Sequence, residues 1–187
     1  MIWIKWGFTK ASELCSKQSK MKKLIPLLLI ISACASPENN RRAITVQTAN
    51  TFFELYKART DWQAFQDLYA DDLVFEDVIF RYTYDKPGFI GFYNWPDPLL
   101  SKHPDFPEVM VLEDLTFTDS TAIGRGYFTP FYYDGVFYDE GRYMRFIMAL
   151  QVNEEGKINR HTDFVEYPPS FLKLAAENIL ADSTVTQ

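Results

Sequence analysis

Four carboxylates occur close together in the stretch LYADDLVFEDVIF: Asp71, Asp72, Glu76 and Asp77. The first two separate a helical pattern from an alternating one, so we predict that they are turn residues. Alternation along the following strand places Asp77 on the same face as Phe75 and Ile79, and Glu76 on the opposite face. A carboxyl group among apolar neighbours loses hydration, which raises its pKa toward the range useful to a general base. Asp77 is therefore the first catalytic candidate, or alternatively a carboxylate at a pocket mouth that accepts structural hydrogen bonds.

A histidine and an aspartate two residues apart form the second candidate site. His161 and Asp163 in RHTDFVEY lie on one face of a predicted strand. Such a pair could transfer protons in a pocket, or it could be a structural polar pair. The spacing matches no metal-binding motif, so we predict neither a metal nor a cofactor.

Two arginines alternate with aromatic residues on neighbouring predicted strands. Arg125 shares a face with Tyr127, and Tyr143 shares one with Arg145. If these faces line a cavity, the arginines need a carboxylate partner such as Asp163. If they face outward, they lie toward solvent or a dimer partner. Alternation alone leaves both orientations open.

Aromatic residues make up 17% of the chain, with 16 Phe, 11 Tyr and 4 Trp. So many large rings fit either a thick core or the lining of a ligand cavity. The predicted ligand-binding residues on the helical side and first strand are Phe53, Tyr56, Trp62, Phe75, Tyr93 and Trp95. Core packing is the alternative for each. The proline-rich loop 96–107 could cover the pocket as a lid or be a plain connection.

The N-terminal segment has the pattern of an export signal. Two lysines, Lys22 and Lys23, precede the apolar run 24–31 and then Ser32-Ala33-Cys34. The last residues of this segment resemble the lipobox of bacterial lipoproteins, in which the cysteine is acylated. We therefore predict a signal peptide at 21–34, an over-long start at 1–20, and export to the cell envelope on a lipid anchor at Cys34. An ordinary cleaved signal or an uncleaved anchor are the alternatives.

Removal of this leader changes the charge of the chain. Residues 1–33 contain six of the 19 basic residues and one of the 25 acidic residues, which leaves 13 against 24 and a net charge of −11. Such a surface should repel nucleic acid and anionic lipid headgroups, so membrane attachment must come from the anchor. With Cys34 acylated, the exported domain can form no internal disulfide.

The remaining pattern predicts an α+β domain over 42–187 behind a tether at 35–41. Helical spacing covers 42–59, a capping box at 60–63 opens a second helix, 86–95 forms a short helix, and 170–181 forms a last one. Irregular loop is expected around the four prolines of PDPLLSKHPDFPE, and strands at 109–118, 122–132, 141–152 and 157–167. Helices followed by consecutive antiparallel strands indicate a cone-shaped curved sheet with the N-terminal helices on its concave face.

Two segments carry a family resemblance: FFELYKARTDWQAFQDLYADDLVFED and EEGKINRHTDFVEYP. Together they resemble the nuclear transport factor 2-like superfamily, which includes SnoaL-like polyketide cyclases and ketosteroid isomerases. The resemblance covers roughly 43–168 and implies the cone-shaped fold more strongly than any activity. It places Asp77 at the position of the isomerase general base. Phe53 and Met148 fall at the positions of the two isomerase hydrogen-bond donors, so steroid isomerisation is not expected.

The limonene epoxide hydrolases of the same superfamily use an aspartate–arginine–aspartate set. Asp163 is similar to the last aspartate and Arg125 to the arginine, whereas Tyr127 stands at the position of the first aspartate. Two of the three positions therefore match.

Three functions remain in view. The first is binding of a small apolar or amphipathic molecule in an aromatic-lined pocket by a lipid-anchored envelope protein. The second is an enzyme of the dehydratase, isomerase, cyclase or epoxide hydrolase type, with Asp77 as general base and Asp163, His161 and Arg125 orienting substrate or water. The third is an interaction module with a closed pocket that forms a homodimer through the sheet, as is common in the family.

Overall fold

The computed structural model describes residues 37–138 and 144–169, together with 172, 173 and 176. The chain divides into two units, Met1–Cys34 and Ala35–Gln187, and the description below concerns the second. Cys34, Tyr143 and most of the predicted helix 170–181 lie outside the described residues. Within them, no helix combines the length and the apolar composition that crossing a membrane requires.

In the described part of the chain, three helices precede or interrupt the first strands: α1 (Pro37–Ala58), α2 (Trp62–Asp67) and α3 (Lys86–Tyr93). The first begins five residues before the predicted start, so residues 37–41 are helical and not a tether. The N-cap of α2 is Asp61, whose carboxylate accepts a hydrogen bond from the Ala64 amide at 2.9 Å, and not Thr60. Asp85 caps α3 in the same way through the Gly88 amide at 3.0 Å. The predicted short helix at 86–95 is confirmed.

Within the described residues, nine strands form two sheets. They are β1 (Tyr69–Asp77), β2 (Tyr82–Tyr84), β3 (Leu100–Lys102), β4 (Met110–Phe117), β5 (Thr121–Phe128), β6 (Phe131–Tyr133), β7 (Val136–Tyr138), β8 (Arg145–Val152) and β9 (Ile158–Val165). The large sheet has the order β2-β1-β9-β8-β5-β4, and the small sheet has the order β3-β6-β7. All pairs are antiparallel except β1 with β9.

Three details of the strands differ from the predictions. Asp71 and Asp72 are not turn residues but exposed members of β1, where the register against β9 shifts between Tyr69 and Val74. The predicted strand 122–132 is two strands, because β6 leaves the large sheet and pairs with β3. The proline-rich loop is therefore not wholly irregular, since it contains β3.

The concave face of the large sheet is set by the packing of α1. A Cβ atom added to Gly124 would lie only 2.2 Å from Cζ of Phe53, so the helix packs directly against backbone at this position. The residues of β5 that face inward are therefore its small residues and Phe128. Ile123, Arg125 and Tyr127 face outward. The curved antiparallel sheet with helices at its N-terminal side agrees with the predicted α+β cone.

Candidate functional site

A cavity of about 610 Å³ lies beside the large sheet, between α3, the small sheet and the end of β9. Aromatic rings form much of its lining, among them Tyr56, Tyr93, Trp95, Phe131 and Tyr167. The proline-rich loop contributes part of β3 to the wall. The chain therefore does not form the closed pocket that we expect of a pure interaction module.

Asp163 is the buried carboxylate that lines this cavity. The residue is 2% exposed, and its Oδ2 atom accepts a hydrogen bond from the Tyr93 hydroxyl. Its Oδ1 atom lies 2.7 Å from Nε2 of His161. This contact has the distance of an ion pair, although the N–H direction is not aligned as in a linear hydrogen bond. Both carboxylate oxygens thus have a polar neighbour inside the protein.

His161 lies behind Asp163 and is fully buried. Its Nδ1 atom is 3.0 Å from the Tyr69 hydroxyl. Burial raises the pKa of Tyr69 well above its usual value, and the Asp163 charge raises it further, so this hydroxyl keeps its proton. A protonated hydroxyl can donate to Nδ1, which assigns the proton of a neutral ring to Nε2, facing Asp163. The predicted His161–Asp163 pair is present, with Asp163 as its cavity-facing member.

Asp77 faces inward as predicted, but it does not line the cavity. Its Oδ1 atom accepts from the Phe80 amide at 2.8 Å, and its Oδ2 atom accepts from the Tyr167 hydroxyl at 2.5 Å. Burial raises the pKa of Asp77, while these two hydrogen bonds lower it. Ile79, predicted to share this face, is exposed because β1 ends at Asp77. Tyr167 contacts the cavity in place of Asp77, so a role for Asp77 as general base is not supported by its position.

The other predicted ligand-binding residues divide into two inward groups. Tyr56, Tyr93 and Trp95 line the cavity. Phe53 and Phe75 are fully buried core residues behind the lining, and Trp62 packs on Trp95 with ring centroids 5.1 Å apart without reaching the cavity. The spacing of apolar residues in the sequence therefore identified the inward faces, but it did not distinguish the rings that line the cavity from the rings packed behind them.

The predicted polar residues on β5 and β8 lie on the outer face of the large sheet. Arg125 pairs with Asp114 at 3.6 Å and Arg145 with Glu113 at 3.2 Å, and both arginines are largely exposed. Tyr127 lies beside Arg145 in the β5–β8 register. The predictions that Arg125, Tyr127 and Arg145 serve the pocket were wrong, because the small residues of β5 take the inward positions. Tyr143 lies outside the described residues.

Sequence reasoning missed several lining residues, including Arg59, Phe80, Lys102, Phe131 and Tyr167. Arg59 follows the end of α1, and its Cζ atom lies 5.2 Å from the Tyr56 ring centroid and 5.7 Å from that of Trp95. Tyr167 continues the inward alternation of Asp163 and Val165 one step past β9. That alternation was the signal that could have identified it.

The titration of Tyr56 reflects its place between the charged residues of the site. Burial raises the pKa of Tyr56 most strongly, the Arg59 charge lowers it, and the Asp163 charge raises it. Its hydroxyl therefore stays neutral, as does that of Tyr93, whose pKa burial raises well above the usual value. Where the structure describes the chain, no three metal-ligating side chains cluster.

No family model and no curated protein matches this sequence. Solved structures do match in fold. A protein assigned as a SnoaL-like polyketide cyclase from Shewanella putrefaciens CN-32 superposes with a TM-score of 0.53 at 14% identity, over 76% of this chain and 97% of that one. An NTF2-like protein from Anabaena variabilis ATCC 29413 gives 0.53 at 17% identity, over 67% and 91%. An LEH-like epoxide hydrolase from M. tuberculosis gives 0.53 at 10% identity, over 78% and 98%. The chain therefore has the NTF2-like fold.

Proposed function

We propose that this protein binds a small, largely apolar or amphipathic molecule in its aromatic cavity. The observation that carries the proposal is the cavity of about 610 Å³ whose lining combines many rings with a few polar groups. Ligand sites have volumes of roughly 300–1,000 Å³ and this same composition. Asp163 supplies the deep polar contact, since an ionised carboxylate has lone pairs beyond those used by Tyr93 and His161.

The proposal also places the protein at the envelope of a bacterial cell, held by acyl chains on Cys34. The order of Lys22, Lys23, the apolar run 24–31 and Cys34 supports this location. Metabolic labelling with an alkyne fatty acid tests it: label should appear in the full chain and vanish in Cys34→Ser. Label that persists in Cys34→Ser would contradict anchoring at this residue.

Mass spectrometry of the exported domain, residues 35–187, tests ligand binding. Under native conditions we expect an added mass of one small molecule, and solvent extraction should release it. Phe131→Ala, which removes a ring from the cavity wall, should reduce the bound fraction. Phe137→Ala is the matched control, because this ring is on the paired strand of the same small sheet but outside the cavity. Equal occupancy in both variants would contradict binding in this cavity.

Acid–base catalysis is a second candidate, favoured by the contact of His161 and Tyr93 with one cavity-lining carboxylate. Asp163 would accept a proton from substrate or from water, and His161 would stabilise the carboxylate position behind it. The LEH-like fold relative makes epoxide hydration a reasonable first assay. Styrene oxide hydrolysis that is abolished in Asp163→Asn, with folding unchanged, would support catalysis. If the wild-type protein hydrolyses styrene oxide no faster than Asp163→Asn does, this result would count against the reaction.

Homodimerisation through the large sheet is the third element of the proposal. Three exposed apolar side chains lie on the outer face of neighbouring strands: Ile123, Ile147 and Phe164, which are 44%, 48% and 44% exposed. Ile147 is directly opposite Phe164 in the β8–β9 register. An apolar row on central strands favours a partner over solvent.

A further inference from the structure

Arg59 occupies a constrained position at the edge of the cavity. It directly follows α1 with a left-handed backbone, at a φ of 50°, and its amide donates to the Leu55 carbonyl at 2.8 Å. Non-glycine residues adopt this conformation rarely, so the packing of the helix end holds the residue there. Its guanidinium lies over the faces of Tyr56 and Trp95. The charge is thus fixed against the aromatic lining.

The charge of Arg59 has no acidic partner among the described residues. None of their ion pairs includes it, and its Nε atom is buried without a hydrogen-bond acceptor. The groups over which it lies, Tyr56 and Trp95, are neutral. Contact with an aromatic face compensates a cation only in part and leaves the edge of the guanidinium available.

The other charged residues of the lining already have partners. Asp163 has Tyr93 and His161. Asp97 accepts from the Leu99 amide at 2.9 Å. Lys102 donates to the carbonyl of Ala58 at 2.5 Å and that of Pro107 at 3.3 Å. Among the described residues, the polar neighbour of the Arg59 guanidinium is the neutral Tyr56 hydroxyl, and its Nε atom has no acceptor. Arg59 is therefore the lining cation that keeps a buried N–H group for a ligand.

We propose that the ligand of this cavity is an amphipathic carboxylic acid whose carboxylate pairs with Arg59. The apolar body of the ligand lies against the aromatic lining, while the carboxylate receives the planar N–H edge of the guanidinium. Arginine binds carboxylates through two parallel hydrogen bonds, and these are among the stronger hydrogen bonds in proteins. The inference rests on the proposed ligand-binding function and specifies the chemical class of the ligand.

A pair of probes that differ in charge tests the inference. Calorimetry would compare 1-naphthaleneacetate with 1-naphthaleneethanol, which share the aromatic body, on the domain 35–187 at pH 7. We expect the carboxylate to bind about tenfold more tightly, the effect of one charge-assisted contact. In Arg59→Gln the two probes should bind with equal affinity, so the preference should disappear. Arg125→Gln is the matched control, because it removes the same charge from the outer face and should keep the preference.

The outcomes separate the two proposals. Equal affinity of the wild-type domain for both probes would overturn the carboxylate inference and leave cavity binding supported. Absence of binding by either probe would count against both. The wild-type comparison does not depend on any variant, so it decides the question even if Arg59→Gln folds poorly. A preference that persists in folded Arg59→Gln would also overturn the role of Arg59.

Discussion

The Nε2 atom of His161 lies 2.7 Å from Oδ1 of Asp163, and of these two buried side chains only Asp163 lines the cavity. On its other side, His161 contacts the Tyr69 hydroxyl. The histidine is therefore a buried bridge between a hydroxyl and a carboxylate. Its first function is to hold Asp163 in place, whether the cavity binds or also transforms its ligand.

This bridge predicts a large stability effect of His161→Phe. The substitution keeps a ring in the core but leaves Tyr69 Oη and Asp163 Oδ1 without their polar neighbour. Each unsatisfied buried group costs about 1–3 kcal/mol, so we expect the free energy of unfolding to fall by roughly 2–6 kcal/mol. Urea denaturation measures this change.

The matched control is His103→Phe, in the proline-rich loop. His103 accepts a hydrogen bond from the Asp105 amide at 3.2 Å and stacks on Tyr132. Phenylalanine keeps the ring contact and loses only this one hydrogen bond, so the substitution should cost about 1 kcal/mol or less. Similar effects of the two substitutions would contradict the bridging role of His161.

The environment of Asp77 predicts a particular dependence of stability on pH. Burial raises the pKa of Asp77 in the folded chain above its unfolded value of about 3.9. The folded state therefore binds the proton more tightly, so this stability contribution is present below the unfolded pKa and lost as pH rises through the folded pKa. Asp77→Asn cannot ionise, and its free energy of unfolding relative to wild type should increase from pH 3.5 to pH 7.

Urea titrations of both proteins at these two pH values test the prediction. Taking the difference between the proteins cancels the contribution of the other carboxylates. The asparagine can still accept a hydrogen bond from the Phe80 amide, but its contact with the Tyr167 hydroxyl is altered. We expect this altered contact to change the free energy of unfolding by the same amount at both pH values. A difference that stays constant, or that decreases as pH rises, would show that burial does not raise the pKa of Asp77.

The contact between Gly124 and Phe53 predicts opposite effects of two glycine substitutions. Gly124→Ala places a Cβ atom 2.2 Å from Cζ of Phe53 and 2.8 Å from Cε2, so the ring or the helix must move. Overpacking of this kind costs about 1–3 kcal/mol. Gly91→Ala in α3 meets no atom within 4 Å and should instead stabilise the helix by up to about 1 kcal/mol.

Thermal unfolding of these variants and of Gly124→Ala with Phe53→Leu checks the mechanism. The smaller leucine leaves room for the added methyl group, so the double variant should lose less stability than the sum of its two parts. Additive losses would show that the ring is not the obstacle.

The same contact explains which parts of the site could be predicted. Period-2 alternation correctly grouped Arg125 with Tyr127 and placed Asp77 inward, but it carries no information on which face of β5 is covered by a helix. The inward face was the one with Gly124, because only a residue without Cβ admits the Phe53 ring. Arg59 was missed because the helical spacing placed it in the last turn of the predicted helix 42–59, whereas the helix ends at Ala58 and the left-handed backbone of Arg59 directs the chain away from it.

A charge on the outer sheet face should decide whether the protein dimerises through it. Ile147 is 48% exposed between Arg125 on β5 and Phe164 on β9. In a sheet-to-sheet dimer it would be buried, and Ile147→Asp would then place an unpaired charge in an apolar interface. We expect sedimentation equilibrium to give twice the monomer mass for the wild-type domain and the monomer mass for Ile147→Asp. Val136→Asp is the control, since Val136 is 53% exposed on the small sheet, away from this face. A wild-type monomer at micromolar concentration, or a dimer unaffected by Ile147→Asp, would rule out this interface, and the apolar row would then require another partner.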